Sequence, residues 1–123
     1  MHAGIIKACL KIASTSTHKR CLVGAVIFNK SRIVSIGTNE QRHNRKLHRM
    51  FWKWEGSIHA EQSAILNARC DLRGMNMLVI RLNNHNELRY AKPCPFCIKY
   101  INHVGLKNVY YSDGEGQILQ LIK

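Results

Sequence analysis

Apolar residues at Ile5, Ile6, Cys9, Leu10, Ile12 and Ala13 recur at a spacing closer to a helical turn than to alternation. Residues Ala3 to Ser16 are therefore expected to form an amphipathic helix that ends before Arg20. Leu22 to Phe28 is rich in β-branched residues and is followed by the turn-like Asn29-Lys30-Ser31 and by Arg32 to Ile36, which predicts a hairpin closed by Gly37-Thr38-Asn39. Periodicity vanishes from Glu40 to Gly56, a loop longer than compact domains usually carry without a functional reason. A second helix is expected to start near Ser57, a good N-cap, and to place Ala60, Ala64, Ile65 and Ala68 on one face, with Gly74 past its end. Met75 to Leu82 predicts a buried strand and Asn83-Asn84-His85-Asn86 a turn. Cys94 opens a further helix, with Pro95 at the first helical position and Gly105 as terminator. Asn108 to Tyr111 predicts a strand, and Ile118 to Ile122 a short element of either type. This order implies an α/β fold, a mixed sheet with helices packed on it.

The 123 residues fit one domain, 1–123, with one core and one site. Hydrophobic residues at 46% and charged residues at 21% are globular proportions and exclude the signature of disorder. The apolar runs are strand-sized, far short of the roughly 20 residues of a membrane span, so no membrane partner is expected. Lys7 and Lys11 interrupt the N-terminal apolar pattern, unlike a signal peptide, and a cytoplasmic location follows, host cytoplasm if the protein is viral. Five cysteines are an odd number, which favours reduced thiols or a metal site over a closed disulfide framework. The charge changes the picture more: 19 Lys and Arg against 7 Asp and Glu give a formal +12, a surface that attracts polyanions.

Two predicted helix starts gather the chemistry, His59-Ala60-Glu61 at one and Pro93-Cys94-Pro95-Phe96-Cys97 at the other. Cys94 and Cys97, spaced C-x-x-C at a helix N-terminus, can direct both sulfurs at one ion, and the helix dipole favours thiolates there. His59 from the neighbouring helix would make a third ligand, leaving a fourth position for water as in catalytic zinc sites. The residues alone leave a stapling zinc site open, with His48, His85 or His103 as fourth ligand, although structural sites usually pair a C-x-x-C with a second such motif. Read singly, Glu61 is an exposed helix carboxylate and Asn39 a turn residue. Cys9 and Cys21 fall in apolar patterns and read as core, and Cys70, near a helix end, as incidental.

Together, His59-x-Glu61 and Pro93-Cys94-x-x-Cys97 resemble the signature of the zinc-dependent cytidine and deoxycytidylate deaminases, within the wider group acting on nucleosides, nucleotides and polynucleotides. Val23-Gly24-Ala25-Val26-Ile27 is similar to the family's first strand, Gly37-Thr38-Asn39 to its sugar-binding turn, and Val104 to Tyr111 to its helix-to-strand passage. The resemblance, spanning roughly residues 1 to 113, implies a three-layer α/β/α sandwich with a mixed central sheet. It implies zinc on His59, Cys94 and Cys97, and proton transfer by Glu61 while zinc hydroxide attacks the ring carbon bearing the exocyclic amine. It further implies substrate contacts at Asn39, Val23, Ala60 and Tyr111, the last because Tyr110 and Tyr111 face opposite sides of a strand and one can stack on the base. No organic cofactor is required.

Between the sugar-binding turn and the zinc helix, Arg42, Arg45, Lys46, Arg49 and Lys53 stand with Phe51, Trp52 and Trp54 and no acid. Basic residues interleaved with aromatics can hold phosphate and stack on bases, so Arg42, Arg45, Lys46, Arg49 and Trp52 are candidates for a phosphate or nucleic-acid contact. For each alone, a solvated or subunit-facing loop is an equal reading. The short chain and the motif forms look most like small deoxycytidylate deaminases, including viral ones, which implies a free cytidine nucleotide such as dCMP as substrate and a homo-oligomer. The charge keeps cytosine in single-stranded DNA or RNA as the alternative. A tRNA adenosine deaminase ranks lower, since Lys92 stands where that group usually has glutamate, as does a non-catalytic zinc module binding polyanions.

Overall fold

Alternation along one central strand, β1 (Leu22–Asn29), decides how the layers stack. In the computed structural model, which describes residues 3–16, 21–39 and 59–121, Val26 and Phe28 point to one face of the sheet. There they meet Leu78, Ile80 and Leu82 and the buried stripe Ile5, Cys9 and Ala13 of helix α1 (Ala3–Ser14). Ala25 and Ile27 point to the other face, against Ala60, Ala64 and Ile65 of α2 (Ala60–Asn67) and Tyr100 and Ile101 of α3 (Pro95–Val104). Among the described residues, one helix below the sheet and two above it make the expected α/β/α sandwich.

The remaining strands are β2 (Arg32–Thr38), β3 (Asn76–Leu82), β4 (Leu88–Arg89), β5 (Asn108–Ser112) and β6 (Ile118–Gln120). Their order is β2-β1-β3-β5-β6, with β4 paired to the end of β3. Among the described strands only β3 and β5 run parallel; the other pairs are antiparallel, so the sheet is mixed as expected. This topology puts the C-terminal ends of β2, β3 and β5 and the start of β1 on one edge. Helices α2 and α3 both begin at that edge.

Several expected boundaries move. Helix α1 stops at Ser14, where the Ser14 and Thr15 hydroxyls donate to the carbonyls of Lys11 and Ile12. Helix α2 starts at Ala60 with His59 as N-cap rather than near Ser57, because Gln62 Oε1 accepts the His59 N–H at 3.0 Å and His59 is extended. It ends at Asn67, ahead of Ala68, and Gly74 sits in a separate turn further on. The segment after Gln117 is a strand, and the two-residue β4 had no sequence signal.

Two glycines fix how closely the helices approach. A Cβ on Gly24 would lie 2.5 Å from the Ala13 nitrogen in α1, and one on Gly37 would lie 2.3 Å from the Ala64 nitrogen and 2.7 Å from the Ala60 carbonyl in α2. Backbone cannot yield as a side-chain tip can, so Gly24→Ala and Gly37→Ala are each expected to destabilise by about 1–3 kcal/mol in urea unfolding. Gly37→Ala is also expected to reduce metal affinity, because α2 carries His59. Unchanged unfolding midpoints in both variants would show that the helices float rather than pack.

Candidate metal centre

Cys94 is the N-cap of α3 in extended conformation, and Pro95 occupies the first helical position, where its missing N–H costs no hydrogen bond. Gly105 ends the helix with φ 81, the left-handed value that glycine tolerates. One turn into α3, Cys97 turns inward and is buried, while Cys94 is half-buried. The imidazole Nδ1 of His59, the N-cap of α2, faces Cys97 Sγ at 3.2 Å and Cys94 Sγ at 3.7 Å. All three donor atoms lie within 4.8 Å of one another, and among the described residues no other such group of His, Cys, Asp and Glu forms. Zinc–sulfur and zinc–nitrogen bonds at tetrahedral angles place ligand atoms about 3.5–3.8 Å apart. The cluster fits zinc in spacing and in its soft sulfur and imidazole donors.

Electrostatics agree with a cation at this point. Cys94 is held as thiolate, its pKa lowered to about 3, chiefly by the hydrogen bond from Cys97, with His59 assisting against burial. Cys97 is pushed far up by that same hydrogen bond, by burial and by the neighbouring Glu61 and Cys94 charges. The two sulfurs thus share a proton that a dication would displace. Glu61, in the first turn of α2, is only 5% exposed. Burial pushes its carboxyl above the usual range, opposed by His59 and by a hydrogen bond with Cys97. Burial thus favours the neutral, proton-holding form of this carboxyl more than water would.

Of the residues singled out from sequence, the fold thus brings together His59, Glu61, Cys94 and Cys97. Ala60 is buried at the start of α2, and Val23 and Asn39 lie on the same sheet edge. The Asn39 side chain ties that edge together: Oδ1 accepts from the Val23 N–H at 3.1 Å and from Ser16, and Nδ2 donates to the Cys21 carbonyl at 2.8 Å. Tyr111 lies on the sheet face that carries α2 and α3, edge-on to the exposed Tyr90, while Tyr110 faces the α1 side against Phe28. Arg42, Arg45, Lys46, Arg49 and Trp52 fall outside the described residues, as does His48. Of the other histidines weighed as a fourth ligand, neither His85 nor His103 joins the cluster. Cys9 is core, Cys70 is exposed, and Cys21, expected as core, is only half-buried just before β1. An open hollow of 320 Å³ at the far ends of α2 and α3, lined by Ile65, Cys70, Asp71, Leu72, Arg73, His103 and Val104, gathers none of the cluster.

Three residues at the edge had not been singled out: Arg81, Arg89 and Gln62. Gln62 could have been found from the rule that the third helical residue reaches back to the cap, had the cap been read as His59. The two arginines required the register of a strand too short to predict.

Residues 1–113 match the family model described as "Cytidine and deoxycytidylate deaminase zinc-binding region". An Aliivibrio fischeri protein described as an uncharacterized deaminase in the luxG 3′ region is 33% identical over 103 residues, 80% of this chain; the chain spans 63% of that relative's length. The dCMP deaminase of cyanophage S-TIM5 superposes with a TM-score of 0.62 at 26% identity, covering 90% of this chain and 84% of that one. The same phage enzyme has been solved with dCMP and dUMP and superposes with a TM-score of 0.60. A Mycobacterium leprae cytidine deaminase shares the fold at 15% identity, with a TM-score of 0.55 over 94% of this chain and 89% of that one.

Proposed function

The chain belongs to the cytidine and deoxycytidylate deaminase family, and from that membership we propose that it hydrolyses the exocyclic amine of cytosine in a free cytidine nucleotide such as dCMP. The convergence of His59, Cys94 and Cys97 beside the buried Glu61 carries this reading. In it, those three side chains hold one zinc ion. Bound there, zinc supplies Lewis-acid activation, lowering the pKa of water towards about 7. Glu61 would accept one proton from water and pass it to the ring nitrogen of cytosine, then take the second from the hydroxyl added to the ring carbon and pass it to the departing amine as the carbonyl forms, so that cytosine and water become uracil and ammonia. Its raised carboxyl pKa suits a group that must hold the proton between these steps. Asn39 and Val23 border the sugar, Ala60 the base, and Tyr111 packs on the base side of the pocket.

The likeness to the phage enzyme, solved with dCMP and dUMP, supports a free nucleotide. The formal +12 favours a second reading, deamination of cytosine in single-stranded DNA or RNA. Incubation with deoxycytidine, dCMP, CMP, a single-stranded DNA oligomer and an RNA oligomer, with uracil quantified, separates the two. The expected order has dCMP first; oligomers deaminated faster than dCMP would transfer the assignment to the strand, and no uracil from any substrate would sink both.

A further inference from the structure

The antiparallel register of β3 and β4 sets Arg81 directly opposite Arg89. Directly opposed residues in such a pair share a face, with Cβ atoms about 4.5–5.5 Å apart, and like charges there repel. The face is the one that carries the metal cluster: Met77 and Val79 of β3 pack under α2 and α3, Leu78, Ile80 and Leu82 under α1, and Arg81 continues the first series. On its other side Arg81 is opposite Val23, whose N–H is held by Asn39. The row Val23, Arg81, Arg89 therefore crosses the sheet edge at which α2 and α3 begin.

Nothing among the described residues neutralises Arg81. Its Nη2 donates to Cys21 Sγ at 2.9 Å, a weak acceptor for one of five N–H groups, and no ion pair forms to it. Arg89 has a loose partner in Glu87 at 3.7 Å and donates to the Leu88 carbonyl at 3.0 Å. The register is pinned rather than accidental, because the buried Ser112 hydroxyl accepts from the Arg81 N–H at 3.2 Å and donates to the Arg89 carbonyl at 2.7 Å. Two arginines whose backbones are held opposite each other on one face of the sheet are placed to receive a compact anion between them.

We propose that Arg81 and Arg89 form the subsite for the phosphate of the substrate, the 5′-phosphate of a nucleoside monophosphate. The inference rests on the free-nucleotide reading above. Phosphate is the anion whose oxygens match two planar donor forks, and arginine holds it in bidentate fashion.

The test measures Arg81→Met, Arg89→Met and Arg81→Lys in the zinc-loaded protein. The first readout is the ratio of kcat/KM for dCMP to that for deoxycytidine; the second is equilibrium binding of dUMP, which needs no turnover. Arg81→Met is expected to lower both about tenfold to a hundredfold, the worth of a charge-assisted hydrogen bond, and Arg81→Lys to restore part of the loss. Arg89→Met is expected to fall less, its charge being shared with Glu87. Unchanged dUMP affinity in both Met variants would overturn the subsite, as would an equal loss on nucleotide and nucleoside, which marks a scaffold role. Loss of single-stranded oligomer binding with dUMP affinity intact would overturn the monophosphate assignment in favour of a phosphodiester. A parent protein that binds dUMP through Arg81 yet forms no uracil would sink the deaminase reading and leave the subsite standing.

Discussion

Glu61→Gln is expected to reduce turnover of dCMP by about 10² to 10⁴-fold, the usual worth of a general acid–base group, with metal content and fold retained. Glutamine has nearly the same shape, so the buried pocket between Cys97 and the start of α2 stays filled. What disappears is the ability to exchange a proton. The loss is expected towards the upper end of that range, because in the proposed cycle this carboxyl handles the proton of water, of the ring nitrogen and of the leaving amine in turn. Steady-state uracil formation with parallel zinc analysis checks it. A variant that keeps a near-normal rate would show that the carboxyl is a structural neighbour of the metal, as a stapling zinc site requires.

The cluster of His59, Cys94 and Cys97 was legible in the sequence because it is written in spacing. Two cysteines one helical turn apart behind a proline, and a histidine two residues before a glutamate, survive any error in where the helices start. That robustness was needed: Ser57 has the better intrinsic propensity to cap, yet the hydrogen bond from His59 N–H to Gln62 moves the start of α2 to Ala60, and His59 becomes a ligand-bearing cap. The same logic of alternation that separates Tyr110 from Tyr111 assigns Tyr111 to the cluster's side of the sheet. Arg81 and Arg89 were not legible, since their pairing depends on a two-residue strand and on a Ser112 hydroxyl reaching from another strand. Sequence gives local periods well and long-range register poorly. The close approach of α1 and α2 to Gly24 and Gly37 was hidden for the same reason.

Removing both sulfurs, with Cys94→Ala and Cys97→Ala together, is expected to take bound zinc from about one per chain to near none, and deamination with it. A lone imidazole at His59 cannot replace two thiolates, and neither His85 nor His103 belongs to the cluster. The single variants should not be equal. Cys97 is buried between Cys94 and Glu61, so its removal leaves a void as well as an open coordination position; the half-buried Cys94 can be replaced in part by water. Stability supplies a second readout, because a metal bound only to the folded state contributes RT ln(1 + [L]/Kd), about 4 kcal/mol when zinc is present at a thousand times its Kd. The melting temperature of the parent should therefore climb with added zinc, while that of the double variant stays flat. Cys70→Ala, an exposed thiol away from the cluster, should keep both the metal and the zinc-dependent rise. Full zinc stoichiometry in the double variant would place the metal elsewhere in the chain, and the pairing of His59 with the two cysteines would then be a feature of packing alone.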